Sequence, residues 1–120
     1  MDNVATREQS DITRLETERQ EILVKLEHLH DDLRSLAEPS ADEADVDAYE
    51  REKIWALIQS LQRKLESTDR AIDAAQKGTY GICENCGQRI DPARLEILPQ
   101  ATLCLKCQRE FERQNRRLRP

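Results

Sequence analysis

Four cysteines stand in two tight pairs, Cys83-Glu-Asn-Cys86 and Cys104-Leu-Lys-Cys107, with seventeen residues between the pairs. The spacing is that of a four-thiolate zinc site, because each Cys-x-x-Cys knuckle presents two sulfurs to one ion and the intervening loop is long enough to fold and return. Four thiolates complete a tetrahedral shell and leave no position for water or substrate, so the Zn²⁺ is expected to hold structure and perform no chemistry. Two disulfides or a redox-active pair would use the same sulfurs. The chain opens Met1-Asp2-Asn3-Val4 without the basic and apolar regions of an export signal. That points to the cytoplasm, where disulfides are rare. A thioredoxin-like pair needs a βαβ setting, and the residues before Cys83 read as helix. No Ser/His/Asp or Cys/His nucleophile set is present, so an enzyme in its own right is not expected.

Two seams of apolar residues lie upstream and must position this metal site. Ile12, Leu15, Ile22, Leu26, Leu29, Leu33 and Leu36 alternate three and four apart, with Arg19 the one polar occupant. Ile54, Ile58, Leu61, Leu65, Thr68, Ile72 and Ala75 repeat the alternation, with Thr68 the exception. Each is a stripe for one helical partner. Pro39 stops the first helix, and Asp45 or Asp47 can cap the second, Asp47 with Glu50 having the spacing of a capping box. Matched seams and a short connection predict an antiparallel helical hairpin about 36 Å long at ~1.5 Å per residue. A parallel coiled-coil dimer of either helix is the alternative.

Beyond the hairpin, Gly78 can take the left-handed conformation that ends a helix, and Gly87 lets the first knuckle turn and aim amides at the sulfurs. Asp91-Pro92-Ala93-Arg94-Leu95 reads as a brief helical turn, Ile90, Leu95, Ile97, Leu98 and Leu103 as a miniature core, and residues from Leu105 to about Arg117 as a last, basic-ended helix. The predicted fold is mainly α: a coiled-coil hairpin at 1–77 with an acidic tip at about 37–48, then a Cys₄ zinc finger with a C-terminal helix at 78–120.

Composition agrees with a thin molecule. Only four aromatic residues occur in 120, and 36% of the chain is charged, too little to fill a thick interior. The net charge of −5 divides unevenly, with 11 cations against 19 anions up to residue 77 and 8 against 5 beyond it. The acidic arm would repel a phosphate backbone and suits a basic protein surface or a cation-bearing channel. His28 and His30 fall on different helix faces and read as solvated; Trp55 and Leu57 sit off the seam. The arginines from Arg113 onward could touch nucleic acid or merely favour a helix C-terminus and solubility.

Gly78-Thr-Tyr-Gly-Ile-Cys-Glu-Asn-Cys-Gly87, followed by Ile90, Arg94-Leu95, Pro99 and Cys104-x-x-Cys107, resembles the DksA/TraR-type zinc finger, and Tyr49-Glu-Arg-Glu-Lys53 resembles the opening of that family's second hairpin helix. The resemblance covers roughly residues 36–110. It implies a protein that binds RNA polymerase directly and pushes its hairpin into the secondary channel, where acidic tip residues act near the catalytic magnesium, often tuned by the alarmone ppGpp; the short turn and matched seams point to a monomer. The tip candidates are Asp42, Glu43, Asp45 and Asp47; solubility and capping are the plainer reasons for them. The family's Asp-x-x-Asp-x-Ala tip pattern, counted back from Cys83 without gaps, falls on Ser40, Glu43 and Asp45, so only the middle carboxylate survives, as Glu. A nucleic-acid-binding finger with a coiled-coil arm, or a protein-binding adaptor, are the alternative functions.

Overall fold

The computed structural model describes residues 3–36 and 44–118. Helix α1 runs Asn3–Ser35 and helix α2 Ala44–Lys77; a short α3, Pro92–Ile97, lies between the two knuckles, and α4 spans Leu105–Leu118. α1 and α2 pack along one another as the hairpin. α1 begins nine residues before Ile12, because Ala5, Arg7, Glu8 and Gln9 are good helix formers that need no seam to stay helical. At ~1.5 Å per residue the helices reach about 50 Å, and the longest extent of the molecule is 65 Å.

The seam is buried as expected but divided in two. Ile22, Leu26, Ile54 and Ile58 form one cluster, flanked by Leu29, Leu33, Leu36, Leu61 and Leu65. Leu15, Ala71 and Ala75 form the other, with Ile12, Ile72 and Tyr80 packed against it. Along both helices the boundary falls at the polar occupants. Thr68 is fully buried, and its hydroxyl donates to the Lys64 carbonyl at 2.8 Å, which satisfies it without a partner across the seam. Arg19 pairs with Asp69 at 2.7 Å, and Lys64 with Glu18 at 3.0 Å. Ala71 is the deeper residue where Ile72 was expected; a small side chain lets α1 and the Tyr80 ring approach.

α2 ends in a complete Schellman motif. The Gly78 amide donates to Ala75 O at 3.3 Å and the Thr79 amide to Ala74 O at 2.8 Å, with Gly78 at φ +79°. At its other end α2 starts earlier than predicted. Asp47 is the fourth residue of the helix, so neither Asp45 nor the Asp47/Glu50 pair supplies the cap; both aspartates fall within the first turn, where the helix dipole favours negative charge. Asp42 and Glu43, two of the tip candidates, lie outside the described residues. Arg51 reaches back to the Leu36 carbonyl at 2.9 Å and closes the end of α1.

Candidate metal centre

The finger is built on two positive-φ glycines. Gly81, at φ +86°, passes so close to the finger core that an added Cβ would stand 3.3 Å from the Leu95 side chain. From there Ile82 bridges Arg89, Ile90 N–H donates to Gly81 O at 2.7 Å and Cys83 N–H to Gln88 O at 2.8 Å. Gly87, at φ +75°, turns the knuckle, but its own amide donates to the Cys83 carbonyl at 3.0 Å and not to a sulfur. α3 starts as the sequence predicts, with the Asp91 carboxylate accepting from Ala93 N–H at 2.9 Å and Pro92 in the first turn. Ile90 is buried beside the knuckles, whereas Ile97 is 80% exposed and leaves the miniature core it was assigned to, since it sits at the free end of a six-residue helix.

These turns bring Cys83, Cys86, Cys104 and Cys107 together, their sulfurs all within 4.8 Å of one another. Cys86 and Cys104 Sγ are 3.7 Å apart. Two sulfurs bound to one zinc at ~2.3 Å in a tetrahedron stand ~3.8 Å apart, whereas a disulfide needs ~2.05 Å, so the arrangement fits one Zn²⁺ and no disulfide. The polar surroundings are those of thiolates. Burial opposes ionisation of Cys83, yet amides of Cys104, Cys86 and Asn85, helped by the Cys86 side chain, outweigh it and bring the thiol down to about 6. The Asn85 side-chain amide donates to Cys107 Sγ at 3.3 Å and favours its ionised form, but the crowding by Cys104, burial and the other two sulfurs pushes this thiol up to about 12. Four sulfurs this close are all thiolate only when a dication shares their charge. Such a closed shell is structural.

The finger is clasped to the hairpin base. The Tyr80 hydroxyl donates to the buried Pro99 carbonyl at 2.9 Å while its ring packs on the lower cluster; Arg14 donates to the Glu96 carbonyl; Arg70 pairs with Glu84 at 3.6 Å. Sequence reasoning missed all three, though Tyr80 between two glycines was a signal. Beside these contacts, α2, the finger and α4 enclose a cleft of about 1030 Å³ rimmed by Arg63, Lys64, Arg70, Arg94 and Arg109. Arg94 Nε and Gln100 Oε1 are buried there without a protein partner. Of the other candidates, Asp47 is half-buried in α2, His28 is exposed and His30 partly so, on α1 and far from the sulfurs in sequence; Trp55 and Leu57 are exposed on the arm. No helix among the described residues is long and apolar enough to cross a membrane.

Residues 78–113 match the family described as the prokaryotic dksA/traR C4-type zinc finger. The chain is 36% identical over 100 residues to the RNA polymerase-binding transcription factor DksA of Caulobacter vibrioides, an alignment covering 82% of this chain and 70% of that protein. It is 45% identical over 51 residues to an uncharacterised protein of Aquifex aeolicus, covering 42% of this chain but only 35% of that one. Among solved structures, transcription factor DksA2 from Pseudomonas aeruginosa superposes with a TM-score of 0.77 at 27% identity, over 97% of this chain and 89% of its own.

Proposed function

The chain belongs to the DksA/TraR family of C4 zinc-finger proteins, and from that premise we propose that it is a cytoplasmic transcription factor that binds RNA polymerase directly and inserts its hairpin into the secondary channel. The observation that carries the reading is the hairpin-and-finger architecture shared along nearly the whole chain with a DksA2 structure. A thin arm with a charged surface suits entry into a narrow passage. Its seam is filled from within the chain, which supports action as a monomer. The arm, residues 1–77, does the reaching; residues 78–120, stapled by one zinc on Cys83, Cys86, Cys104 and Cys107, fix its base and perform no catalysis.

We assign the acidic tip to Asp42, Glu43, Asp45 and Asp47. Carboxylates are hard ligands and partners for arginine, so they suit an active centre that holds Mg²⁺ and passes phosphates. Ser40 and Glu43 at positions where the family pattern has aspartate, and Asp45 where it has alanine, argue that the outcome of occupying the channel differs from that of members with the full pattern. The alarmone ppGpp is the small ligand we assign to the cleft beside the finger, whose rim carries Arg63, Arg70, Arg94 and Arg109 among the acidic Glu66, Glu84 and Glu112.

Capture by purified core polymerase, followed by competition with a Gre-type cleavage factor that occupies the same channel, tests the reading. Displacement at stoichiometric competitor is expected. Undiminished binding under competition would overturn the channel assignment, and failure to bind polymerase would overturn the function.

A further inference from the structure

Among the described residues the α4 backbone approaches no other helix closely, although part of α4 faces α2 across the cleft. At ~100° per residue, Lys106, Arg109, Arg113, Arg116 and Arg117 fall within about 100° of arc and along about 16 Å of axis, whereas Phe111 and Asn115 point elsewhere. All five cations are exposed. Within the helix Arg113 pairs with Glu110, and Glu112 accepts from the Gln108 amide, so the acidic residues flank the stripe.

The helix dipole accounts for Arg116 and Arg117 in the last turn. It cannot account for Lys106, which sits in the first turn where a cation is disfavoured; Arg109 also rims the cleft beside the finger, so the stripe and the cleft share that one cation. We propose that this face of α4 is a docking surface for the phosphodiester backbone of nucleic acid, recognised by charge and not by sequence. Cations three and four residues apart lie ~5–6 Å from one another, close to the ~6–7 Å between successive phosphates, and four of the five are arginines, whose fork matches a phosphate. The chemistry also selects against an acidic protein as the occupant. A protein interface desolvates a centre anchored by apolar or aromatic side chains, but the exposed apolar residues of α4 lie at the edge of the stripe (Leu105) and on the other side of the helix (Phe111), not at its centre; a phosphate contact stays wet and needs none. The acidic arm, which would repel the same backbone, is a separate part of the molecule. The inference does not rest on polymerase binding.

The test is fluorescence anisotropy of the zinc-loaded full chain with a labelled ~24-base-pair duplex of arbitrary sequence, titrated from about 50 to 200 mM salt. Weak binding at low salt is expected, with log K falling as log salt rises by about 0.9 per phosphate contacted. The Arg113→Gln/Arg116→Gln/Arg117→Gln variant should bind at least about tenfold less tightly at 50 mM salt, with a slope lower by up to about 2.7. Its zinc content and thermal transition should be unchanged. A control of equal charge loss on the arm, Lys25→Gln/Lys53→Gln/Lys77→Gln, should keep affinity within about twofold. Absence of binding at 50 mM salt, an equal loss in the arm control, or displacement of the duplex by polyglutamate as readily as by unlabelled duplex would each overturn the proposal, the last in favour of an acidic protein partner.

Discussion

At the scale of single residues, the metal site and its clasp carry different kinds of energy. Cys104 is one of four ligands, and a structural zinc contributes roughly 10–16 kcal/mol of apparent binding free energy to a small finger. Cys104→Ser should therefore lose the bound zinc and unfold residues 78–118 while the hairpin's helical signal persists, as read by metal analysis and far-UV circular dichroism; one retained equivalent of zinc and an unchanged transition would refute the ligand assignment. Tyr80 contributes less. Tyr80→Phe keeps the ring on the cluster of Leu15 and Ala75 but strips the Pro99 carbonyl of its donor, at a cost of about 1 kcal/mol. Burial first, then the Asp11 and Glu18 carboxylates against the opposing Arg14, raise the Tyr80 pKa above 10.0. Above that pH the unfolded chain holds fewer protons than the folded one, so this tyrosine's contribution is complete below pH 10 and lost as pH rises through its folded value. The difference between wild type and Tyr80→Phe in urea denaturation should accordingly shrink at alkaline pH.

At the scale of elements, the hairpin is two apolar clusters separated by a polar joint, and Thr68 tests what the joint is for. Its hydroxyl bonds only within its own helix, and Lys64 O keeps the α2 ladder bond without it. Thr68→Val should thus leave no orphaned group, bury one more apolar methyl and stabilise the hairpin by about 0.5–1 kcal/mol, seen as a higher urea midpoint at unchanged slope. A lower midpoint would instead assign the hydroxyl a part in setting helix register. The seams themselves were legible because a heptad is a local repeat: Leu15, Ile22, Ile54 and Ile58 announce their burial by spacing alone. Gly78 and Asp91-Pro92 announced their helix ends for the same reason. The burial of Ala71, the exposure of Ile97 and the Arg14, Arg70 and Tyr80 contacts depend on residues up to 82 positions apart, and no periodicity encodes them. The four sulfurs are the exception among long-range features, since a Cys-x-x-Cys knuckle states its partner by chemistry.

At the scale of the whole molecule, the 34 residues of α2, about 50 Å at ~1.5 Å per residue, separate Asp45 and Asp47 in its first turn from the cysteines beyond its end, so docking and effect can be separated by mutation. The base presents the clasp, the arginine-rimmed cleft and α4; the proposed tip carries carboxylates. If the base and stem supply most of the polymerase contact, neutralising the tip removes the effect without the complex. Asp42→Asn with Glu43→Gln is isosteric and alters no residue of the seam, so the hairpin's stability should change by less than about 0.5 kcal/mol. Affinity for core polymerase should stay within about twofold, because a few peripheral charges contribute little to the free energy of a large interface. The effect on transcription from a sensitive promoter in vitro should be abolished. Parallel loss of affinity and effect would show that the tip only docks; loss of neither would move the active carboxylates to Asp45 and Asp47, which the first turn of α2 holds in a fixed helical register. Repeating the assay with ppGpp separates the two ends again: a response to the alarmone that survives the tip change in binding, but not in transcription, places its site at the base.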